Sequence, residues 1–520
     1  MTPPPDRIDP TFTALPYRRL ANAALSRARD FGVTHADFRF ERVRYQHVSV
    51  RDGSLQGAED SEDLGFAVRV VHHGAWGFAS GVALTLDEAV RVAEQAVNVA
   101  LVAAEMTRSP VELAPEPVHE DVTWCSAYEV NPFDVPLADK VALLEDWTAR
   151  LQRSDAVDHA SASLQQVQEN KFYSDLAGTT TTQQRVRLQP FVEAYGSRED
   201  RFDSMASVAP PVGRGWEYLA GGPAVHWDFD AEIAELPDLL AEKLAAPSVE
   251  PGRYDLVIDP SNLWLTIHES IGHATELDRA LGYEANYAGT SFATPDQLDT
   301  LQYGSSLMHV TGDRTTPHGL ASIGYDDEGV QAQAWDIVRD GVLVGYQLDR
   351  SMAQAFPALN DGRSNGCAYA DSPGHIPIQR MANVSLQPAP DGPDTQGLVA
   401  QVERGLYIVG DKSWSIDMQR FNFQFTGQRF HLIEDGELKG QVRDVAYQAT
   451  TTDFWRSMTA VGGPQTYVLG GAFNCGKAQP GQVAAVSHGC PSALFRGVRV
   501  LNVADEAGAD TPTSGDGEES

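Results

Sequence analysis

The sequence predicts an α+β fold: an N-terminal domain of helices and antiparallel strands, followed by a β-rich C-terminal domain that carries a histidine-bearing helix. Three observations predict it. Period-two apolar alternation and hairpin turn pairs mark the N-terminal strands. Period-3.6 stripes lie before and after those strands. Beyond residue 253, strand-like runs are separated by acidic Gly-containing turns.

Residues 1–15 are Pro-rich and expected to be a flexible lead. Residues 17–30 form a helix with Leu20, Ala24 and Ala28 on one side. Phe38 and Phe40, then Val48 and Val50, alternate as in a strand, and Asp52-Gly53 turns the chain. Phe66, Val68 and Val70 alternate again, up to a hairpin tip at His72-His73-Gly74. Thr85-Leu86-Asp87-Glu88 is a capping box, which opens a helix to Ala104 striped by Val90, Ala93, Val97 and Leu101. A Pro/Glu-rich connector at 110–117 bounds this N-terminal α+β domain, residues 16–110.

A middle α+β region spans 111–250, with helices at 136–151 and 229–246. Between them, strands at 160–195 surround a turn at Gly178. The β-rich domain spans 251–503. Residues 254–258 form a strand leading into its helix, and 405–409, 422–426 and 429–433 are further strands. Acidic turns fall at 326–329, 339–341 and 434–436. The acidic tail, 504–520, is expected to be disordered.

A chain of 520 residues, 42% hydrophobic and 21% charged, supports several domains with sizeable cores. Its net charge of −33 opposes nucleic acid or an anionic membrane as partner. The start, MTPPPDRIDP, has no basic region followed by an apolar run, so no secretory signal is expected. Apolar runs of ~18 residues, the length of a membrane span, are absent. Four widely spaced cysteines do not suggest a disulfide framework. A cytoplasmic location follows as the expectation.

The chemistry concentrates at Ile267-His268-Glu269-Ser270-Ile271-Gly272-His273. Leu263, Ile267, Ile271, Ala274, Leu277 and Leu281 give a helical stripe, and Asp259-Pro260-Ser261 supplies a cap. His268, Glu269 and His273 fall off that stripe. Familiar zinc helices space their histidines i,i+4. Here the spacing is i,i+5, so the two imidazoles point about 140° apart on a regular helix. Convergence on one metal requires a π-bulge or a break, and Gly272 makes either cheap. The alternative is a regular helix whose Glu269, His273 and Glu276 share a face, or whose Glu276 simply pairs with Arg279.

Two imidazoles leave a catalytic zinc short of its third protein ligand. Cys475, between glycines and followed by Lys477 as a possible thiolate partner, ranks slightly first. Cys490, after His488, and Cys367 remain candidates. Cys125, beside Trp124, is expected to be buried and inert.

Several motifs in order carry a resemblance. They are Gly77-Phe78-Ala79-Ser80-Gly81, the His268–His273 helix through Glu276-Leu277-Asp278, Gly289-Thr290-Ser291-Phe292-Ala293, Asp326-Asp327-Glu328-Gly329, Arg380-Met381-Ala382-Asn383 and Asn474-Cys475-Gly476-Lys477. Over residues 20–500 the sequence resembles the TldD/PmbA family, in its TldD-type, metal-carrying form. The resemblance implies a zinc metallopeptidase with His268, His273 and Cys475 as ligands and Glu269 as general base. It implies a heterodimer with a PmbA/TldE-like subunit, with self-association as the alternative. It also implies a chamber for unfolded peptides, with Gly289, Thr290, Ser291 and Phe292 as a strand-addition edge. Residues 413–417 and the stretch after Cys475, including His488 and Cys490, depart from the family pattern.

The expected function is zinc-dependent hydrolysis of peptide bonds in unfolded peptides. Its rivals are a non-catalytic metal-binding modulator acting through a partner protein, and hydrolysis of a non-peptide amide.

Overall fold

In the computed structural model, which describes residues 8–220 and 227–504, the alternating runs of the N-terminal half join one seven-stranded sheet. Its strands are β1 (His35–Arg51), β2 (Ser54–His72), β3 (Ala75–Gly81), β4 (Val122–Cys125), β5 (His159–Asp175), β6 (Thr180–Arg198) and β7 (Arg201–Ala206). Their order is β3-β2-β1-β5-β6-β4, with β7 also on β6. Helices Tyr17–Asp30 and Leu86–Ala104 share a core with Phe38, Phe40, Phe66, Val68 and Val70. Each such apolar side chain contributes about 1.5–3 kcal/mol on burial. Helices Leu137–Leu151 and Phe229–Ala245 share a second core with Leu164, Leu188 and Val192.

Two expectations change here. β1 pairs with β5 from Asp37↔Asp175 to Arg51↔Ser161, so the boundary expected at residue 110 crosses a continuous sheet. The Pro-rich connector is a crossover within that sheet: Val48 and Val50, before it, join the second core, and Phe172, after it, joins the first. Residues 8–15 are packed rather than floppy: Phe12 is fully buried, and Asp9 accepts a hydrogen bond from Arg42 Nη2 at 2.6 Å. Residues 1–7 and the acidic tail from 505 lie outside the described residues.

The C-terminal half is β-rich around a closed five-stranded barrel. β8 (Gly252–Ile258) lies between strands Arg404–Ile416 and Ala493–Asn502. Strands Val445–Thr450 and Asn422–Glu434 complete the ring back to Arg404–Ile416. Two runs expected as separate strands, 422–426 and 429–433, form this single strand. The acidic turn at 326–329 is not a solvated tip. Asp327 takes Lys171 at 2.6 Å and Glu328 takes Arg69 at 3.0 Å, so the turn is buried against the N-terminal sheet by ion pairs. Among the described residues no helix is long and apolar enough to cross a membrane.

Candidate metal centre

β8 leads directly into helix Pro260–Ile267. Asp259 caps it, accepting from the Ser261 N–H at 3.0 Å, with Pro260 at the first helical position. Leu263, Leu265 and Ile267 join the barrel core beside Leu256, Leu406 and Phe425. Asn262 donates to the carbonyls of Gly410 and Thr426, each at 2.9 Å, and accepts from Tyr447 at 2.8 Å. A buried amide with all these bonds fixes the helix against three barrel strands.

The helix then widens. His268–Gly272 is a π turn, with the His273 N–H donating to the His268 carbonyl. A 3₁₀ turn, His273–Thr275, follows. The i→i+5 bond stacks residues five apart, and the two imidazole centroids lie 4.6 Å apart. Carbonyls displaced from the α ladder find side-chain donors: Tyr303 for Ser270, Thr275 for Ile271 at 2.8 Å and Gln347 for Gly272 at 2.7 Å. Gly272 is favoured by close packing as well as by the turn. Its φ of −52° is ordinary helix, but a Cβ there would stand 2.6 Å from Met381 Sδ.

His268, His273 and Cys475 bring one potential ligand atom each to within 4.8 Å of one another. Cys475 lies on strand Val468–Lys477, paired with Gln482–Cys490, and its Sγ is 3.7 Å from His273 Nε2. Tetrahedral zinc, with bonds of ~2.3 Å to sulfur and ~2.0 Å to nitrogen, sets its S and N ligands roughly 3.5 Å apart. The N₂S donor set and this separation fit zinc. Burial pushes the Cys475 thiol up, but the charge and hydrogen bond of His273, then Arg380, bring it below its ordinary value. Such a thiol yields its proton readily to a metal.

Each imidazole has an outer partner. His273 Nδ1 is 2.8 Å from Glu276 Oε2, and Glu276 is held by Arg279 at 3.2 Å and Lys477 at 3.1 Å. His268 Nδ1 is 2.7 Å from His488 Nε2. Lys477 therefore does not support the thiolate as expected. Its ammonium serves Glu276, Asp278 and Gln379. Cys490 lies away from the cluster, with Sγ 3.7 Å from the Pro260 carbonyl, and Cys367 is buried, its thiol pushed up to about 12 mainly by that burial. Cys125, expected to be buried, is partly exposed.

Glu269 is 5% exposed, and Arg420 Nη1 donates to its Oε2 at 2.6 Å. Burial raises its carboxyl, while His273, His268 and Arg420 together hold it below its ordinary value. Gly289, Thr290, Ser291 and Phe292 do not offer the open edge expected of them. Thr290 N–H already donates to Met418 at 2.7 Å, and Phe292 N–H to Gln419 at 2.9 Å. Ser291 donates to the Ala274 carbonyl at 2.6 Å, and the Phe292 ring packs 5.3 Å from Tyr303 and from Phe421. Gly289 has φ +86°, and a Cβ there would lie 1.9 Å from the Met418 carbonyl oxygen. The segment is occupied by the chain's own hairpin tip.

Sequence reasoning left Arg420 unremarked and His488 without a role. Arg420 stands at that hairpin tip with φ +62°, a region arginine seldom adopts, and no sequence pattern marks it. His488 was visible as part of a histidine–cysteine loop, but its partner lies 220 residues earlier.

The description "PmbA/TldA metallopeptidase domain 1" matches residues 36–100, and "PmbA/TldA metallopeptidase C-terminal domain" matches 251–502. A metalloprotease of Methanothermobacter thermautotrophicus is 27% identical over 90% of this chain and 95% of its own length. A zinc metalloprotease TldD homolog of Saccharolobus solfataricus is 21% identical over 92% of this chain and 98% of its own. The crystal structure of TldE from Thermococcus kodakarensis superposes with a TM-score of 0.68 at 15% identity, over 93% of this chain and all of that one. The fold, the His268/His273/Cys475 cluster and these matches agree: the chain belongs to the PmbA/TldD metallopeptidase family.

Proposed function

We propose that this chain hydrolyses peptide bonds in unfolded peptides, with zinc held by His268, His273 and Cys475 and Glu269 as general base. The observation that carries the reading is the π turn, which supports a shared ligand role for two histidines that a regular helix would separate. Zinc in such a site supplies Lewis acidity toward a carbonyl and acidity to water. Cys475 enters as thiolate, favoured by the adjacent His273 imidazole. Arg420 fixes Glu269 Oε2, so Oε1 is the oxygen free to take a proton and return it to the leaving amine. Tyr287 and Met418, 66% and 55% exposed, are chain neighbours of Ala288, whose carbonyl accepts from Arg420, and of Gln419, which precedes Arg420, and they offer apolar contacts to an extended peptide. Residues 251–503 carry the chemistry, and 16–250 form the unit that abuts them. Likeness to TldE supports a related subunit, or a second copy of the chain, closing over the site. Four cysteines outside any disulfide suit a reducing compartment such as the cytoplasm.

The test is cleavage of an unstructured peptide by the zinc-loaded protein, alone and with a TldE-like subunit, with and without chelator. Glu269→Gln is expected to keep its zinc and lose cleavage by at least a hundredfold. Undiminished cleavage by that variant would remove Glu269 from the mechanism, and indifference to chelator would remove the metal. One observation favours a second reading. His273 and His268, then the ion pair with Arg420, lower the proton affinity of Glu269, as suits a metal-binding modulator acting through a partner. Zinc-loaded protein that stays inert with every subunit would select it.

A further inference from the structure

His488 is fully buried, 2.7 Å from His268, and the Trp264 ring lies nearly parallel to it, 12° between planes at a centroid separation of 6.3 Å. Its Nδ1 lies 2.8 Å from the Val384 carbonyl oxygen. A carbonyl only accepts, so Nδ1 of His488 carries the hydrogen. As a neutral imidazole, with a single ring hydrogen, His488 has that hydrogen on Nδ1. Its Nε2 is then a lone pair, and His268 Nδ1, facing it, must be the donor. The same step fixes His268 with hydrogen on Nδ1 and a lone pair on Nε2.

A shared metal is not an alternative account of the His268–His488 contact. Two nitrogens on one tetrahedral zinc stand roughly 3.3 Å apart, given Zn–N bonds of ~2.0 Å. The observed 2.7 Å is a hydrogen bond. We infer that His488 is a positioning residue: the chain Val384 carbonyl–His488–His268 locks His268 in the tautomer whose Nε2 can join His273 and Cys475 on a metal. His273 has a carboxylate in the equivalent outer place, Glu276 at 2.8 Å. The two ligands are thus oriented by chemically different groups, one anionic and one neutral.

The inference rests on the metal reading only for its purpose; the tautomer stands without zinc. The experiment uses full-length protein labelled with ¹⁵N-histidine, metal-free, with His268 assigned through His268→Asn. Long-range proton–nitrogen correlation is expected to show His268 protonated at Nδ1 and bare at Nε2. A His268 protonated at Nε2 overturns the inference. Zinc affinity by chelator competition is the second measurement. His488→Leu removes the acceptor and is expected to weaken zinc by 10–100-fold. His488→Gln keeps an acceptor near the Nε2 position and is expected to stay within a few-fold of wild type. Equal affinity for Leu and wild type, or Gln as weak as Leu, overturns it. Wild type without zinc affinity refutes the metal reading instead, and the nitrogen spectrum still decides the tautomer.

Discussion

Gly272→Ala tests the geometry that makes the site possible. At φ −52° and ψ −59° the position is helical, and there alanine is favoured over glycine by about 1 kcal/mol. Sterics oppose it. The new Cβ would meet Met381 Sδ at 2.6 Å and Cε at 3.0 Å, where unstrained contacts lie near ~3.5–4.0 Å. Met381 would have to move by about 1 Å. It is 1% exposed and packed in the main core, so it has no free space to enter. Overpacking of this kind costs ~1–3 kcal/mol, which outweighs the propensity gain. The expected result is a net loss of about 1 kcal/mol in guanidinium unfolding of the metal-free protein. Met381→Ala alone costs ~2–5 kcal/mol but empties the space, and in that background Gly272→Ala becomes neutral or stabilising. The coupling between the two is expected at ~1–3 kcal/mol. If Gly272→Ala shifts stability equally in both backgrounds, to within about 0.5 kcal/mol, close approach is not why glycine stands there.

Two predictions concern the joint between the halves. Burial raises the Asp37 carboxyl, but Arg69 at 2.7 Å and His35 at 3.0 Å bring it down to about 2, against an ordinary 3.8. A depressed carboxyl contributes stability above its unfolded value and loses it as pH falls through the folded one, here from about 4 to about 2. Asp37→Asn is therefore expected to be less stable than wild type by roughly 2 kcal/mol at pH 6, with the gap closing between pH 4 and pH 2. A gap independent of pH would separate the effect from ionisation. Lys171→Met leaves Asp327, Glu41 and Glu169 without the ammonium that lies 2.6, 3.3 and 3.4 Å from them. It is expected to cost ~3–5 kcal/mol in chemical unfolding, and a loss below about 1 kcal/mol would show that water replaces the charge.

The local features of the site were legible because local rules generate them. Asp259-Pro260 announces the helix start, and histidines five apart can meet only if the helix widens, as it does at His268–Gly272. Long-range partners were not legible. Arg420 lies 151 residues from Glu269, and nothing in a hairpin tip announces which carboxylate it reaches. The β1–β5 pairing likewise joins two runs that a Pro-rich connector separates, so sequence suggested two domains where one sheet exists. The pairing of the segment 289–292, expected as a binding edge, was not legible for a related reason: its Thr290 and Phe292 N–H groups are paired with the hairpin tip. A free edge and an occupied one have the same residues, and only the hairpin from Met418 decides between them.

The π turn exchanges regular helix bonds for side-chain ones, so its stability must reside in those side chains. Gln347 shows this most directly. Its Nε2 donates to the Gly272 carbonyl at 2.7 Å, and its Oε1 accepts from the Ala382 N–H at 2.7 Å. The amide is fully buried and ties the turn to the segment after Met381, whose sulfur touches Gly272. Gln347→Leu conserves bulk but leaves one carbonyl and one N–H buried without these bonds, at ~1–3 kcal/mol each. With the carbonyl unanswered, Gly272 regains an incentive to return to α-helical pairing, which would swing His273 away from His268. The variant is therefore expected to lose zinc affinity by at least tenfold as well as stability, whereas Lys171→Met, whose ammonium serves Asp327, Glu41 and Glu169 and none of the ligands, loses stability alone. Wild-type zinc affinity in a destabilised Gln347→Leu protein would mean that the ligands, and not the carbonyl acceptors, hold the turn open.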